Sequence, residues 1–590
     1  MVATATAGRP VPDTSTADQR QRPTTDERPL LTGAEITCRS LEAEGVTTVF
    51  GYPGGAVIPL YDAIPRANLH HVLVRFEQWA ALAADGWARV TGKPGVCIAT
   101  SGPGATNLVT GLANAMLDSV PLVAITGQVS QPLIGKDAFQ EVDITGISLP
   151  VTKHNYLVQR PEDIAPTIKE AFYLASTGRP GPVLVDIPKN VFIQKAPFFY
   201  PSTVSRRGYQ PTTQPNMRQV KLAAEEINRA SRPVIMAGHG IMLSGATDLF
   251  ARLVERTGIP VIFTLLGLGC FPETHPLSLG LMGMHGHRHV NDALEHADLL
   301  VNIGARFDDR ATGRIDGFAP NARIVHIDID PAEIGKNVRT DVPVVGDAAE
   351  VLKQLIPEVA HRSHTDWLGW IDGRRNRVLE EALEDRPDWP EPYTIVRAIA
   401  EATGGEAIVT TDVGQHQMWT AQYFGFNHPN RWLSSGGLGT MGYGLPAAIG
   451  AKMARPDLEV WAVIGDGGFQ MSMAELATAA QEQLDINIAV INNGYLGMVR
   501  QWQDLFHSKN YSEVEISGPD LGKLADAYGI CGITIRTDAE IVPAIEKARN
   551  TPGPVLLNFV IEPEANVYPI VPPGASNSEM MHDSRFAGLD

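Results

Sequence analysis

The sequence predicts three doubly wound α/β domains built on mostly parallel sheets, with the first and third related by an internal duplication. Three observations predict this. Short apolar runs such as Val234-Ile-Met-Ala, Val261-Ile-Phe, Leu299-Leu-Val-Asn-Ile and Ile324-Val-His-Ile alternate with helix-length segments, the pattern of strands covered on both faces. At 590 residues, 44% hydrophobic and 19% charged, the chain is long enough and apolar enough for about three or four cores. It also repeats itself. Ile164-x-Pro-x-Ile-x-x-Ala171 leads into Pro180-Gly-Pro-Val-Leu-Val-Asp186, and Ile541-x-Pro-x-Ile-x-x-Ala548 leads into Pro552-Gly-Pro-Val-Leu-Leu-Asn558. Val96–Gly104 parallels Val460–Gly468, and Pro121–Gly127 parallels Asn487–Asn493, so three matches share a nearly constant offset.

In chain order, residues 1–29 are rich in Thr, Pro, Asp and Arg without an apolar segment, and read as a flexible tail. Residues 30–199 form the first domain. A Pro-, Arg- and Gln-rich linker over 200–218 leads to a middle domain over 219–360. A polar helical stretch with Trp367, Trp370, Arg374, Arg375, Glu380, Glu381 and Asp385 makes a connector over 361–390, and the third domain occupies 391–590.

The third domain carries the sharpest motif. Gly465-Asp466-Gly467-Gly468 follows the strand Val460–Ile464, Met473–Gln483 reads as a helix, and the strand Ile486–Ile491 runs out at Asn492-Asn493. A strand–helix–strand unit puts both strand ends at one sheet edge, where open α/β sheets bind ligands. One carboxylate, one carboxamide oxygen and a glycine-opened loop suit a hard cation that also holds phosphate oxygens. Tight turns favour the same residues for backbone reasons, and the paired spacing tips the choice to metal and diphosphate. The duplication replaces Asp466 by Gly102 and Asn493 by Gly127, so the first copy must contribute something else. Glu77, where Val72-Leu-Val passes into the small-residue stretch Ala80–Ala84, is a candidate acid/base, though a carboxylate at a helix start also serves the dipole. Asp412–Met418 and Ser434–Gly444 add glycines that let amides approach phosphate, with Gln415 and His416 as donors. Met441 either packs the core or touches a ligand.

These residues resemble the thiamine diphosphate enzymes, and from about Pro29 to about Pro573 the chain resembles their acetohydroxyacid synthase (acetolactate synthase) branch. The motifs carrying that likeness include GYPGGAVIPLYDAI, FEQWAALAADGWAR, GKDAFQEVDITGIS, GARFDDRATGRIDGF, SSGGLGTMGYGLPAAIG and NNGYLGMVRQWQ. The resemblance implies a chain that decarboxylates pyruvate and transfers the two-carbon unit to pyruvate or 2-ketobutyrate, the first common step of branched-chain amino-acid synthesis. It implies Mg²⁺ on Asp466, Asn493 and the carbonyl of Tyr495. Thiamine diphosphate would meet Val413, Gly414, Gln415, His416, Gly439, Met441, Gly467, Gly468, Leu496, Gly497 and Met498, with Glu77 on its pyrimidine. Met498 and Trp502 would shape the acceptor pocket, Phe139, Gln140 and Lys189 would lie nearby, and Arg310 would meet the acceptor carboxylate. By spacing alone, Lys189 is a solvated charge after Pro188. The middle domain would be a Rossmann-like FAD domain using Arg179, Gly238, Gly240, Thr264, Leu265, Met284, His285, Gly286, Gly304, Arg306, Asp308, Asp328, Ile329 and Asp347. No G-x-G-x-x-G fingerprint is present in this middle domain, only the partial Gly238-His-Gly240. Ser130, Lys136 and Gly494-Tyr-Leu depart from the family pattern.

The family also implies a homodimer or tetramer, with each site formed between the first domain of one chain and the third of another, and a small regulatory subunit. A net charge of −18 argues against a nucleic-acid partner. The absence of a long apolar run argues against a membrane span, and four scattered cysteines fit the reducing cytoplasm. An FAD-coupled pyruvate oxidase, a 2-ketoacid decarboxylase and a non-catalytic relative are the alternatives.

Overall fold

A computed structural model gives the fold of residues 28–379 and 389–582. Residues 1–27 of the expected tail, and Glu380, Glu381 and Asp385 of the expected connector, lie outside the described residues.

β1 (Leu30–Thr32) opens the first unit. Its sheet contains β2 (Thr48–Gly51), β3 (His70–Leu73), β4 (Gly95–Ala99), β5 (Leu122–Gln128), β6 (His154–Leu157) and β7 (Pro182–Pro188). β8 (Lys195–Pro197) returns antiparallel onto β1 and ties the two ends of the unit together. All six main strands are parallel, in the order β3-β2-β4-β5-β7-β6. β5 and β7 are buried at every position, which is why they read as unbroken apolar runs.

The middle sheet comprises β9 (Pro233–Ala237), β10 (Val261–Phe263), β11 (Ser278–Leu281), β12 (Leu299–Ile303), β13 (Arg323–Asp328) and β14 (Val342–Val345). Its order, β11-β10-β9-β12-β13-β14, is that of a dinucleotide-binding sheet, with the chain reversing direction across the sheet between β9 and β12.

The third sheet comprises β15 (Ile408–Thr411), β16 (Trp432–Leu433), β17 (Val460–Gly465), β18 (Ile486–Asn492), β19 (Cys531–Ile535) and β20 (Val555–Val560). Its order, β16-β15-β17-β18-β20-β19, repeats the first sheet strand for strand. The repeat read from Pro180/Pro552, Val96/Val460 and Pro121/Asn487 is thus a repeat of topology: these segments fall on β7/β20, β4/β17 and β5/β18.

The first and third units meet through two helices of small residues, Glu77–Thr91 and Gly444–Ala454. Their backbones approach so closely that a Cβ on Gly86 would overlap the Ala447 backbone, and one on Gly450 the Ala83 carbonyl. Beside this contact the buried Arg89 guanidinium pairs with Asp85 (2.6 Å) and Asp118 (2.7 Å). Asp118 in turn accepts the amides of Gly436 and Gly437, and the Tyr443 hydroxyl donates to Asp85 at 2.7 Å. A buried arginine with two carboxylates is tolerable only when each lone pair is used, and here the loop 434–444 supplies the remaining donors.

One element starts earlier than the sequence predicts. The helix expected over 473–483 begins at Asp466, runs to Ser472, tightens over Met473–Glu475 and continues over Leu476–Gln481. Asp466 follows β17 directly and occupies a first turn, where a carboxylate complements the helix dipole. The two glycines are helical because side chains there would collide, Gly468 with the Asp412 carboxylate and Gly467 with Leu496.

Candidate active site

The third sheet changes direction between β15 and β17, and the crevice at their carboxyl ends holds a small cavity. Three helices start there: Gln415–Tyr423 after β15, Asp466–Ser472 after β17 and Gly497–Phe506 after β18. Their first turns, with Gly414, Gln415, His416, Gly465, Asp466, Gly467, Gly468, Leu496 and Gly497, line the cavity together with Met441, Asn493, Tyr495 and Met498. Three amino-terminal dipoles and their unpaired amides converge on one space, an arrangement suited to an anion of high charge.

Several polar groups in and around this space are unspent. His416 Nε2 is buried and has no hydrogen-bond partner among the described residues. Burial pushes the imidazole down to about 3, so it is neutral and can donate to or accept from a ligand. Burial pushes Asp466 up to about 6, against amides that favour its charged form. No ion pair to Asp466 occurs among the described residues. Asn493 Oδ1 accepts the Tyr495 amide at 3.0 Å and keeps a second lone pair, while its Nδ2 donates to Gln415 Oε1 at 3.2 Å. Among the described residues no group of three or more His, Cys, Asp or Glu side chains is placed to hold an ion. A cation here would draw instead on one carboxylate, one carboxamide, a carbonyl and the oxygens of the anion itself.

Behind the cavity, Asp412 Oδ1 accepts the amides of Val413, Gly442 (2.6 Å) and Tyr443 (3.1 Å), and thereby fixes the loop that carries Met441. Its other oxygen is buried and unpartnered, and burial pushes the carboxyl up to about 7. Sequence reading passed over Asp412, although it opens the motif that also supplies Gln415 and His416. The signal was an acid at a strand end two residues before glycine.

A second cavity of about 1430 Å³ adjoins the first, sharing Val413, Gly414, Met441, Met498 and Val499. It runs to the direction change of the middle sheet, where the backbones of Gly240 and Gly304 touch. Of the residues expected around a flavin, Arg179, Gly240, Thr264, Leu265, Met284, His285, Gly304, Arg306, Asp308, Asp328, Ile329 and Asp347 line it, and Gly238 and Gly286 do not. A Cβ on Gly238 would strike Gly304 and Ala305, which explains that glycine by packing. Arg310 and Trp502 both line the larger cavity and meet there, with the guanidinium 5.7 Å from the ring centre. Gly439, expected in the smaller cavity, lines only the larger one. Sequence reading also missed Leu117, Asp118 and Ser119, which the first unit lends to the large cavity.

Besides Gly238 and Gly286, four expected site residues line neither cavity: Glu77, Phe139, Gln140 and Lys189, all from the first unit. Glu77 is nearly buried, accepts from Asn107 Nδ2 at 2.9 Å and lies against Gly104. Gln140 is half-buried with φ +60° and backs onto Gly102, whereas the Phe139 ring is 88% exposed. Lys189 starts the helix Lys189–Ile193 after β7.

Three family profiles match the chain: "Thiamine pyrophosphate enzyme, N-terminal TPP binding domain" over residues 31–147, the "central domain" over 220–355 and the "C-terminal TPP binding domain" over 412–559. The "Acetolactate synthase" of Mycobacterium leprae is 49% identical over 563 residues, covering 93% of this chain and 90% of that protein. The "Acetolactate synthase large subunit" of Corynebacterium glutamicum is 49% identical over 583 residues, covering 97% and 93%. The "Probable acetolactate synthase large subunit" of Methanocaldococcus jannaschii is 48% identical over 569 residues, covering 94% and 96%.

Proposed function

The chain belongs to the thiamine pyrophosphate enzymes and, within them, to the acetolactate synthases, and from that premise we propose how its own residues carry the reaction. The enzyme decarboxylates pyruvate and transfers the two-carbon remainder to a second 2-ketoacid. Thiamine diphosphate, when bound, supplies the nucleophilic carbon and the electron sink that this decarboxylation requires. The observation that carries the assignment of residues is the convergence of three helix starts on a cavity lined by His416, whose buried Nε2 has no partner among the described residues.

In this reading the diphosphate lies on the first turns at Gln415, Gly467 and Gly497, with His416 as a donor. Asp466, Asn493 Oδ1 and the Tyr495 carbonyl would hold Mg²⁺, which would neutralise a buried carboxylate that has no counter-charge among the described residues. Val413, Gly414, Gly439, Gly468, Leu496 and Met498 complete the bed, and Met441 supports the cofactor on a loop that Asp412 fixes. Glu77 would meet the pyrimidine with its carboxyl, the acid/base group that the first unit contributes. FAD fits the large cavity beside the dinucleotide-type sheet, where Gly240 and Gly304 leave no room for a side chain. Trp502 and Met498 bound the acceptor, and Arg310 offers its carboxylate a planar cationic partner.

Glu77, Phe139, Gln140 and Lys189 line neither of these two cavities of their own chain, which supports a site completed by a second copy. Exposed apolar side chains on the first unit, including Tyr52, Ile58, Phe76, Leu133 and Phe139, mark the surface such a copy would cover. We read the functional form as a dimer or tetramer of domains 30–199, 219–360 and 391–590, served by a small regulatory subunit. Among the described residues no helix is long and apolar enough to cross a membrane, and the cysteines there are free, which supports a cytoplasmic enzyme.

The test is to supply the purified protein with thiamine diphosphate, Mg²⁺, FAD and pyruvate. Acetolactate is the expected product. Acetate or free aldehyde in its place would contradict the reading.

A further inference from the structure

The third unit grips the first at the corner that carries Glu77. Glu475 is 0% exposed, and its Oε1 accepts the Arg75 amide at 2.6 Å. Its Oε2 is buried without a hydrogen-bond partner among the described residues, and burial pushes the carboxyl up to about 7 against the amides of Arg75 and Phe76, which favour its charged form. The Arg75 side chain donates to Leu73 O (2.6 Å) and to Gln481 Oε1 (2.9 Å), while Thr478 Oγ1 donates to Leu73 O (3.2 Å). Glu475, Thr478 and Gln481 therefore hold residues 73–75, the end of β3, and the next helix begins at Glu77. Trp79, one turn on, packs where a Cβ of Gly442 would lie, beside the loop fixed by Asp412.

A surface contact would not need a buried carboxylate. Taking a carboxylate out of water to bind one amide is costly, and a neutral glutamine or serine could accept the same bond. What a buried acceptor adds is a fixed bond at the corner it holds, one that a glutamine in its place can also make. Glu475 also lies at the far end of the helical segment that starts at Asp466, about 14 Å away at 1.5 Å per residue. One short rod thus has the cation-binding acid of its own cavity at one end and the Glu77 corner at the other.

We propose that Glu475 is a positioning residue for Glu77: it fixes the β3–helix corner from within the same chain and aims Glu77 at the cofactor cavity of a partner subunit. This rests on the role given to Glu77 above. Glu475 touches no substrate or cofactor and acts only through the corner.

The experiment compares the full-length holoenzyme with its Glu475→Ala, Glu475→Gln, Glu77→Gln and Glu475→Ala/Glu77→Gln variants. Glu475→Ala lowers kcat by about tenfold or more, as expected for a misaimed group, with pyruvate KM and thiamine diphosphate affinity within about twofold. Amide hydrogen exchange over residues 74–79 accelerates in the same variant, and Glu475→Gln, which keeps an acceptor, restores most of both. In the Glu77→Gln background Glu475→Ala costs no further turnover, because its only route of action is gone. Unchanged kcat and exchange in Glu475→Ala, or an additive loss in the double variant, overturns the proposal. If Glu475→Ala does not fold, Gln481→Ala removes only the Arg75 side-chain partner, and exchange over 74–79 must still rise. Full turnover in Glu77→Gln itself would count against the role of Glu77. An inactive Glu77→Gln beside a normal Glu475→Ala counts against Glu475 alone.

Discussion

The first and third sheets have the same strand order, yet they present opposite faces of one chemistry. In the third, the strand ends at the direction change open onto three helix starts and a cavity lined with Asp466, Asn493 and His416. In the first, the equivalent opening between β2 and β4 is closed by its own chain. The Ala56 amide donates to Thr100 Oγ1 at 3.2 Å, Gly54 packs on the same threonine, and Gly102 at φ +59° is backed by Gln140. What the first copy keeps is Glu77, one strand away at the end of β3. Duplication thus gave two frames, and divergence filled one crevice while equipping the other. A cofactor with a charged tail and a basic ring needs both, so each copy is half a site.

The sharpest way to break this comparison is at the third copy. Asp466→Ala removes the only acidic ligand, and Mg²⁺-dependent binding of thiamine diphosphate falls by more than about 100-fold, measured by titration calorimetry. The reciprocal change, Gly102→Asp, gives the first copy no cation affinity, because the position is strained for a side chain and faces the Gln140 backbone. At the first copy, Glu77→Gln reduces kcat by about 10²- to 10³-fold with a thermal midpoint within about 2 °C of the parent, since the carboxamide keeps the shape and an acceptor for Asn107.

Smaller effects sharpen the boundary between the third copy and the middle sheet. Trp502→Leu widens the space under Arg310 and changes the ratio of products from pyruvate and 2-ketobutyrate by about tenfold in competition. The smallest effect reports on Asp412. Its carboxyl is held at about 7 against an ordinary 3.8, so the folded protein binds a proton there that the unfolded chain has lost. The resulting penalty is absent below about pH 4, grows as pH rises towards 7 and is constant above. Asp412→Asn, which keeps an acceptor for Gly442 and Tyr443, therefore has a thermal midpoint that falls less than the parent's between pH 5 and 8.

Much of this was legible in the sequence, and the reasons are physical. Strands buried on both faces leave continuous apolar runs, and duplication leaves matching offsets, so Val460–Ile464 and Leu299–Ile303 were visible without coordinates. Asp466 and Asn493 were found because a strand end followed by glycine is a local pattern. The early helix start at Asp466 was hidden, since two glycines read as a loop until their neighbours Asp412 and Leu496 are known. Glu475, Asp118 and Arg89 were hidden for a related reason. Glu475 and Asp118 accept backbone amides hundreds of residues away in sequence, Arg89 meets Asp118 only through the fold, and none of these contacts leaves a periodic trace. Sequence also brought Glu77 and Asp466 into one list of site residues, whereas the fold of a single chain sets them in different crevices.

The most direct test mixes two dead enzymes. Glu77→Gln and Asp466→Ala variants, co-expressed with separate tags and isolated as mixed assemblies, are expected to recover turnover. In each mixed dimer one of the two sites draws an intact Glu77 from one chain and an intact Asp466 from the other, while the second site draws neither, so about half of the sites are complete. Recovery to about that fraction of the parent's activity is the predicted result. No recovery from assemblies shown to contain both chains would mean that Glu77 and Asp466 serve the same site from the same chain, and would contradict the division of the site between copies.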